Sequence, residues 1–436
     1  MQKCAPSTCH DGAVAAFVFS PPDGPFRGSL TVPGDKSMSH RALILAAVAR
    51  GLSMVSNTGP GEDVAATRRA LEALGVEFTG DQVSSPGAEG WAAPAMPIDA
   101  GNSGTTMRIM AGALAAQPFR STLVGDSSLM RRPMGRLVAP LRALGASVEV
   151  GPDGLPPVTV GGSHLRGGAV EVTEPSAQVR SAVAFAALQA EGASTIDSPP
   201  GFRDHTERLF EALALGRRLS ATRFEISPGP VPTISYRVPG DASSAAFLLA
   251  AAALRPGSEL TVGGVTLNPG RLGFLEVLEA MGARVARQVT AMSYGDPVGD
   301  ISLTAAPLSA AHIAGALTVR TLDELPLVAI LATAAEGETL VSGAGELRVK
   351  ESNRIAASVA MVRALGGIAE ERPDGFAVIG GRRLTGGTVH AGGDHRIAMA
   401  AAVAAATADS AITVEGFEAV SVSWPGFKAA LESLWS

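Results

Sequence analysis

The chain is expected to be an α/β protein of two domains that enclose one anion-binding cleft. Three observations predict this. Six Ala-rich apolar helices recur along the chain, each followed by an amphipathic helix. Basic and hydroxyl-bearing residues gather at the starts of the apolar helices. The tripeptide Pro-Gly-Asp occurs at Pro33–Asp35 and again at Pro239–Asp241. A length of 436 residues suits two or three domains.

The apolar helices are expected at Arg41–Ala49, Thr105–Ala116, Val179–Ala190, Ser243–Leu254, Leu325–Ala335 and Arg396–Ala406. Alanine favours the helix, and its small side chain lets a helix be buried on every side. Five amphipathic partners end in Leu74-Gly75, Leu144-Gly145, Leu215-Gly216, Met281-Gly282 and Leu365-Gly366, where the glycine suits a left-handed helix end. The sixth, Phe427–Trp435, closes the chain. A unit of roughly 70 residues is longer than the 20–50 of solenoid repeats, so three units per domain is the natural grouping. The Pro-Gly-Asp pair reads as two hinge strands, near residues 33–36 and 238–241. One domain then holds 35–240, and the other joins 1–34 to 241–436. Residues 1–26 read as a loosely ordered extension.

Composition narrows the function. A net charge of −6 argues against general nucleic-acid binding, while leaving room for a local basic cluster. The two cysteines, Cys4 and Cys9, lie outside every motif, so no disulfide framework, Cys metal site or catalytic thiol is expected. The apolar run Ala13–Phe19 is too short to span a membrane. There is no phosphate-binding P-loop, no G-x-G-x-x-G pattern and no metal-ligand cluster, so neither a cofactor nor a metal is expected. These features suit a protein of a reducing compartment, the cytoplasm, acting as a monomer.

The chemistry sits at the helix starts. Pro33–Arg41 places Lys36, Ser37 and Arg41 where unpartnered helix amides already favour anions, although a capped helix with a solvated basic end gives the same pattern. In Gly101–Arg108, Gly104 lets a ligand approach the backbone. Arg132 stands ahead of Pro133 at an expected helix start, and Ser176–Gln178 caps another apolar helix. Phe202–Glu207 supplies Arg203 and His205, the latter more often structural than catalytic. Asp323 stands in Leu322–Pro326, where a helix cap is the plain role. Lys350, Glu351 and Arg354 place two like charges on one expected helix face, which suits a shared anion, and a Lys-Glu neighbour pair can pass protons. Gly392–Met399 repeats the theme with Arg396. Each opposite-charge pair at about 4 Å is worth roughly 4 kcal/mol at an effective dielectric near 20, enough in number to hold two polyanions together.

Eight ordered segments, Pro33–Arg41, Gly101–Arg108, Arg131–Arg136, Pro175–Ala182, Arg203–Leu209, Pro239–Phe247, Leu347–Arg354 and Gly392–Met399, resemble the enolpyruvyl transferase family, in its branch acting on shikimate 3-phosphate. The resemblance runs from about Gly28 to the end. It implies two inverse-αβ domains closing over shikimate 3-phosphate and phosphoenolpyruvate. The 5-hydroxyl of the first adds to C2 of the second while C3 is protonated, and the adduct then loses phosphate. Carried over by position, Lys36, Ser37, Arg41, Ser176, Ala177, Gln178, Arg203, Asp323 and Lys350 would hold shikimate 3-phosphate. Lys36, Gly104, Arg132, Gln178, Arg354 and Arg396 would hold phosphoenolpyruvate. Asp323 is the implied base, and Glu351 with Lys36 the implied proton handler at C3.

The chain departs from the family in two places. A lysine expected two residues before the aromatic-Pro pair Trp424-Pro425 is Val422 here, and Ala177 can offer only its backbone. Gly104 keeps the small residue that the family associates with sensitivity to the inhibitor glyphosate. Two other readings are a related transferase acting on UDP-N-acetylglucosamine and a non-catalytic phospho-ligand sensor. The first usually has Lys-Asn where Lys36-Ser37 stands and a loop cysteine absent here; the second has no need of Asp323 and Glu351 together.

Overall fold

A computed structural model describes residues 16–200 and 203–435. Six inner helices run through it: α1 (Lys36–Val48), α2 (Gly104–Ala113), α3 (Ala177–Ala187), α4 (Ala242–Ala253), α5 (Leu325–Ala334) and α6 (His395–Val403). Their side chains are almost wholly buried, α1 from Met38 through Val48. Several start earlier than expected, α1 by five residues because Asp35 caps it by accepting from Met38 N. That places Lys36 and Ser37 in its first turn. The outer helices are Glu62–Glu72, Val138–Ala143, His205–Ala212, Gly273–Ala280, Arg354–Ala364 and Phe427–Glu432.

Each unit carries a small sheet with one plan: two parallel strands followed by an antiparallel hairpin. Strand Ser235–Arg237 pairs parallel with Arg50–Ser56, which is followed by Gln82–Pro86 and Glu77–Thr79. Arg27–Thr31 likewise pairs parallel with Glu259–Thr266. The sixth sheet has three strands, and its last place is taken by Ala16–Phe19, antiparallel to Ile412–Glu415. The expectation of a loose extension through Phe26 is therefore wrong for the described part. Phe19 and Phe26 are buried in the core, held by apolar packing that the short, charge-poor sequence did not advertise. Cys4 and Cys9 lie outside the described residues.

The apolar interior divides in two. One core gathers buried residues from Met38 to Val238. The other joins Phe19, Phe26 and Val32 to residues from Ala242 to Leu431.

Four of the expected left-handed glycines are present: Gly75, Gly145, Gly282 and Gly366 have φ between 85° and 97°. The fifth is not. Ala214 takes the positive φ of 56° instead, and Gly216 starts a strand whose close neighbour, Glu225 O, leaves no room for a Cβ.

Small residues let the inner helices touch. A Cβ added at Gly112 of α2 would lie 2.0 Å from the Ala182 carbonyl oxygen of α3. Gly112→Ala must push these helices apart, and we expect it to lower unfolding stability by about 2 kcal/mol or more. Urea denaturation checks this; a change within about 0.5 kcal/mol would contradict such close contact.

Candidate active site

All six inner helices point their N-terminal ends at one cavity between the two cores. Its wall takes Lys36 and Ser37 from α1, Gly104 and Thr105 from α2, Ser176–Gln178 from α3, Asp241 capping α4, Leu322 and Asp323 just before α5, and His395 and Arg396 from α6. Side-chain caps fix these starts: Ser103 Oγ accepts from Thr106 N at 3.1 Å, Ser176 Oγ from Val179 N at 3.3 Å, and Asp394 Oδ1 from Arg396 N at 2.9 Å. Among the described residues, nine basic and five acidic side chains line the cavity, a local positive excess inside a protein of net charge −6. Six helix starts add to the field that draws anions in.

The expected site residues converge here with one exception. Arg41 is not among the lining residues. It lies behind the wall, donating through Nη1 to Ser37 O at 2.7 Å, through Nε to Thr206 Oγ1 at 2.8 Å and through Nη2 to Ser181 Oγ at 2.8 Å. His205 also lies off the cavity, with Nδ1 2.8 Å from Asp296 Oδ2. Val422 is not a lining residue either; its carbonyl packs against Gly61. Phe202 lies outside the described residues.

Two local expectations need correction. Lys350 and Arg354 do not share a helix face, because Asn353 caps a helix that begins at Arg354 and leaves Lys350 in the preceding turn. They meet instead at Asp323 Oδ1, from 3.8 Å and 3.6 Å. Pro133 opens no α-helix; a short 3₁₀ turn at Gly135–Leu137 precedes Val138–Ala143.

Acidic side chains hold the cations in place. Asp323 Oδ2 accepts from Arg203 Nη2 at 2.6 Å, which joins residues of the two cores across the cleft. Glu351 reaches Arg132 Nη1 at 3.4 Å, also across the cleft, and Arg354 Nη2 at 2.6 Å. Asp394 grips Arg354 Nε at 2.8 Å, and Lys36 Nζ donates to Asp63 Oδ2 at 2.7 Å. Arg396 donates to Ser243 Oγ, which donates in turn to Glu324.

The same charges set the protonation states. Burial opposes ionisation of Asp323, but Arg203, Lys350, Arg396 and Arg354 outweigh it and hold the carboxyl well below the usual range. Burial likewise opposes ionisation of Glu351, and Arg354, Arg132 and Lys36 override it. His395 moves the other way: burial, then Lys36 and Arg396, push it down to about 3, so it is neutral at physiological pH. Arg108 falls to about 10 through burial and the repulsion of Arg136 and Arg132, and stays charged.

Sequence reasoning missed Arg136 and His395. Arg136 sits 3.7 Å from Glu346 across the cavity. Their signal was present in the motifs Arg131–Arg136 and Gly392–Met399, but neighbours with stronger charge patterns drew the assignment.

The family model for EPSP synthase (3-phosphoshikimate 1-carboxyvinyltransferase) matches residues 21–431. The chain is 43% identical over 417 residues to the 3-phosphoshikimate 1-carboxyvinyltransferase of Desulforudis audaxviator, covering 94% of this chain and 97% of that one. It is 45% identical to the Pelotomaculum thermopropionicum enzyme of the same name, covering 93% and 96%. The EPSP synthase structure from Acinetobacter baumannii superposes with a TM-score of 0.84 at 35% identity, covering 96% of this chain and 98% of that one. The fold extends to the enolpyruvyl transferase NikO from Streptomyces tendae, with a TM-score of 0.75 at 15% identity and coverage of 97% and 98%. The chain belongs to the EPSP synthase family.

The buried histidines predict a pH dependence of stability. Burial, then Lys36 and Arg41, also push the pKa of His40 well below its ordinary value. An unfolded histidine takes its proton near 6.5, so below that pH the unfolded chain binds more protons and stability falls. Each such group costs about 1.4 kcal/mol per pH unit until it protonates in the folded state. Asp323, Glu351 and Asp394, all held below their ordinary values, contribute stability that is present above about pH 4 and lost as pH falls through their folded values. The melting temperature should fall below about pH 6.5 and more steeply below about pH 4. His395→Asn should flatten the first limb; an unchanged slope would contradict the buried neutral histidine.

Proposed function

We propose that this chain transfers the enolpyruvyl group of phosphoenolpyruvate to the 5-hydroxyl of shikimate 3-phosphate, giving 5-enolpyruvylshikimate 3-phosphate and phosphate. The observation that carries the reading is the pair of ionised carboxylates, Asp323 and Glu351, in a cavity ringed by cations from both lobes. Phosphates and carboxylates need the cations, and the reaction needs two proton-transfer groups.

Lys36, Ser37, the Ala177 backbone, Ser176, Gln178, Arg203 and Lys350 hold shikimate 3-phosphate, with Asp323 beside the 5-hydroxyl. Lys36, Arg132, Gln178, Arg354 and Arg396 hold phosphoenolpyruvate, and Gly104 leaves it room. Arg41 acts indirectly, holding Ser37 in place through its carbonyl. Asp323 takes the hydroxyl proton as that oxygen attacks C2, and Glu351 with Lys36 delivers a proton to C3. Loss of a C3 proton and of phosphate completes the elimination. The surrounding cations hold Glu351 ionised. Two anionic substrates neutralise those cations, so substrate binding itself raises the proton affinity of Glu351 to that needed for delivery.

Among the described residues, those from 35 to 240 make one lobe and those before 35 and after 240 the other, with the crossings at 33–36 and 238–241. The reading goes with a monomer acting in the cytoplasm, and residues of one chain line the cavity. Among the described residues no helix is long and apolar enough to cross a membrane.

Phosphate release from phosphoenolpyruvate should require shikimate 3-phosphate and should not occur with UDP-N-acetylglucosamine; the reverse would overturn the assignment. Asp323→Asn and Glu351→Gln should each lower turnover about 100-fold or more while shikimate 3-phosphate still binds, read by calorimetry beside the rate assay. Near-normal turnover would remove those roles.

A Cβ added at Gly104 would lie 3.1 Å from Arg108 Nη1 and 3.7 Å from Arg132 Nη1. Gly104→Ala should therefore raise KM for phosphoenolpyruvate about tenfold and leave shikimate 3-phosphate affinity within about threefold. Glyphosate should compete with phosphoenolpyruvate in the unaltered protein, and an inhibition constant far above KM would contradict an open site at Gly104.

A further inference from the structure

The two Pro-Gly-Asp segments cross side by side. Gly34 and Gly240 form an antiparallel bridge, Asp35 N donates to Pro239 O at 2.7 Å, and Asp241 N donates to Pro33 O at 2.9 Å. The crossing is tight: a Cβ on Gly34 would lie 1.7 Å from Asn57 O. It brings two buried aspartates together, each with a second duty. Asp35 caps α1 through Met38 N at 2.9 Å, and Asp241 caps α4 through Ser243 N at 2.7 Å.

Two buried like charges in one crossing need a cation between them. Arg271 supplies it from the loop after strand Glu259–Thr266. Its Nη2 donates to Asp35 Oδ2 at 2.9 Å and to Asp241 Oδ1 at 2.5 Å. The Arg271 side chain is 3% exposed and forms part of the cavity wall.

We propose that Arg271 is a positioning residue that fixes the substrate-facing helix starts of the two lobes in a single frame. Lys36 and Ser37 follow Asp35 directly. Ser243, two residues past Asp241, accepts from Arg396. One guanidinium nitrogen thus sets the phosphate-binding start of α1 against the arginine of α6, through α4. Removing it leaves Asp35 and Asp241 facing each other, so the crossing spreads and the lobes no longer meet in register.

The inference rests on the proposed reaction, and unaltered protein tests that reaction in the same assay. Failure there sinks the reaction, whereas the variants alone test Arg271. Arg271→Gln should lower kcat at least about tenfold and raise KM for phosphoenolpyruvate at least about fivefold. Shikimate 3-phosphate alone should bind within about threefold of normal, since most of its contacts come from one lobe. Shikimate 3-phosphate should compact the unaltered protein in small-angle scattering, as two lobes closing over it require, and Arg271→Gln should lose that compaction. Adding Asp241→Asn keeps a capping side chain but removes the repulsion, and should restore compaction. Arg271→Lys should give a phosphoenolpyruvate KM between the unaltered and Gln values, and carries the test if the Gln variant fails to fold. The proposal is overturned if phosphoenolpyruvate KM and compaction stay normal. It is equally overturned if shikimate 3-phosphate affinity, turnover and melting temperature all fall in proportion, or if Asp241→Asn restores nothing.

Discussion

Repulsion among basic side chains crowded into one cleft is the constraint on which the rest of this structure depends. Arg132, Arg136, Arg108, Arg354, Arg396, Lys350 and Lys36 all face the same space. The molecule meets that repulsion with carboxylates placed at the same helix starts. Asp394 and Glu351 share Arg354, Asp323 draws Arg203 to it across the cleft, and Asp63 holds Lys36. The cations are thereby held in place before any substrate arrives, so binding a polyanion requires little reorganisation of them.

That arrangement explains the composition of the fold. Six helix starts can converge only if the helices are thin enough to pack together. Alanine and glycine make them so, as the contact between Gly112 and Ala182 shows. The repeated unit then follows from a repeated need: each copy delivers one helix start to the cleft, all but α5 with a side-chain cap, and covers the back of its inner helix.

The cleft also explains why acid and base chemistry can coexist. The cations around the cleft keep Asp323 and Glu351 ionised. Neutral His395 stays uncharged between Lys36 and Arg396 because burial and both neighbours oppose its proton. Any anion that enters the cleft therefore acts on the protonation of the site through those cations.

The sequence by itself determined the inner helices, the ends of the outer helices and the lining residues that stand in its charged motifs, since apolar periodicity, capping residues and charge clusters are local patterns; Asp63, Arg136, Arg271, Glu346 and His395 escaped it. It could not reveal that Arg41 turns away from the cavity to hold Ser37, because that depends on Thr206 and Ser181 from distant segments. Nor could it show that Ala16–Phe19 completes a sheet with Ile412–Glu415, or that Arg271 joins two aspartates 206 residues apart. Tertiary structure decided these, because a long-range partner is chosen by where the chain returns in space, and no local pattern of side chains encodes that position.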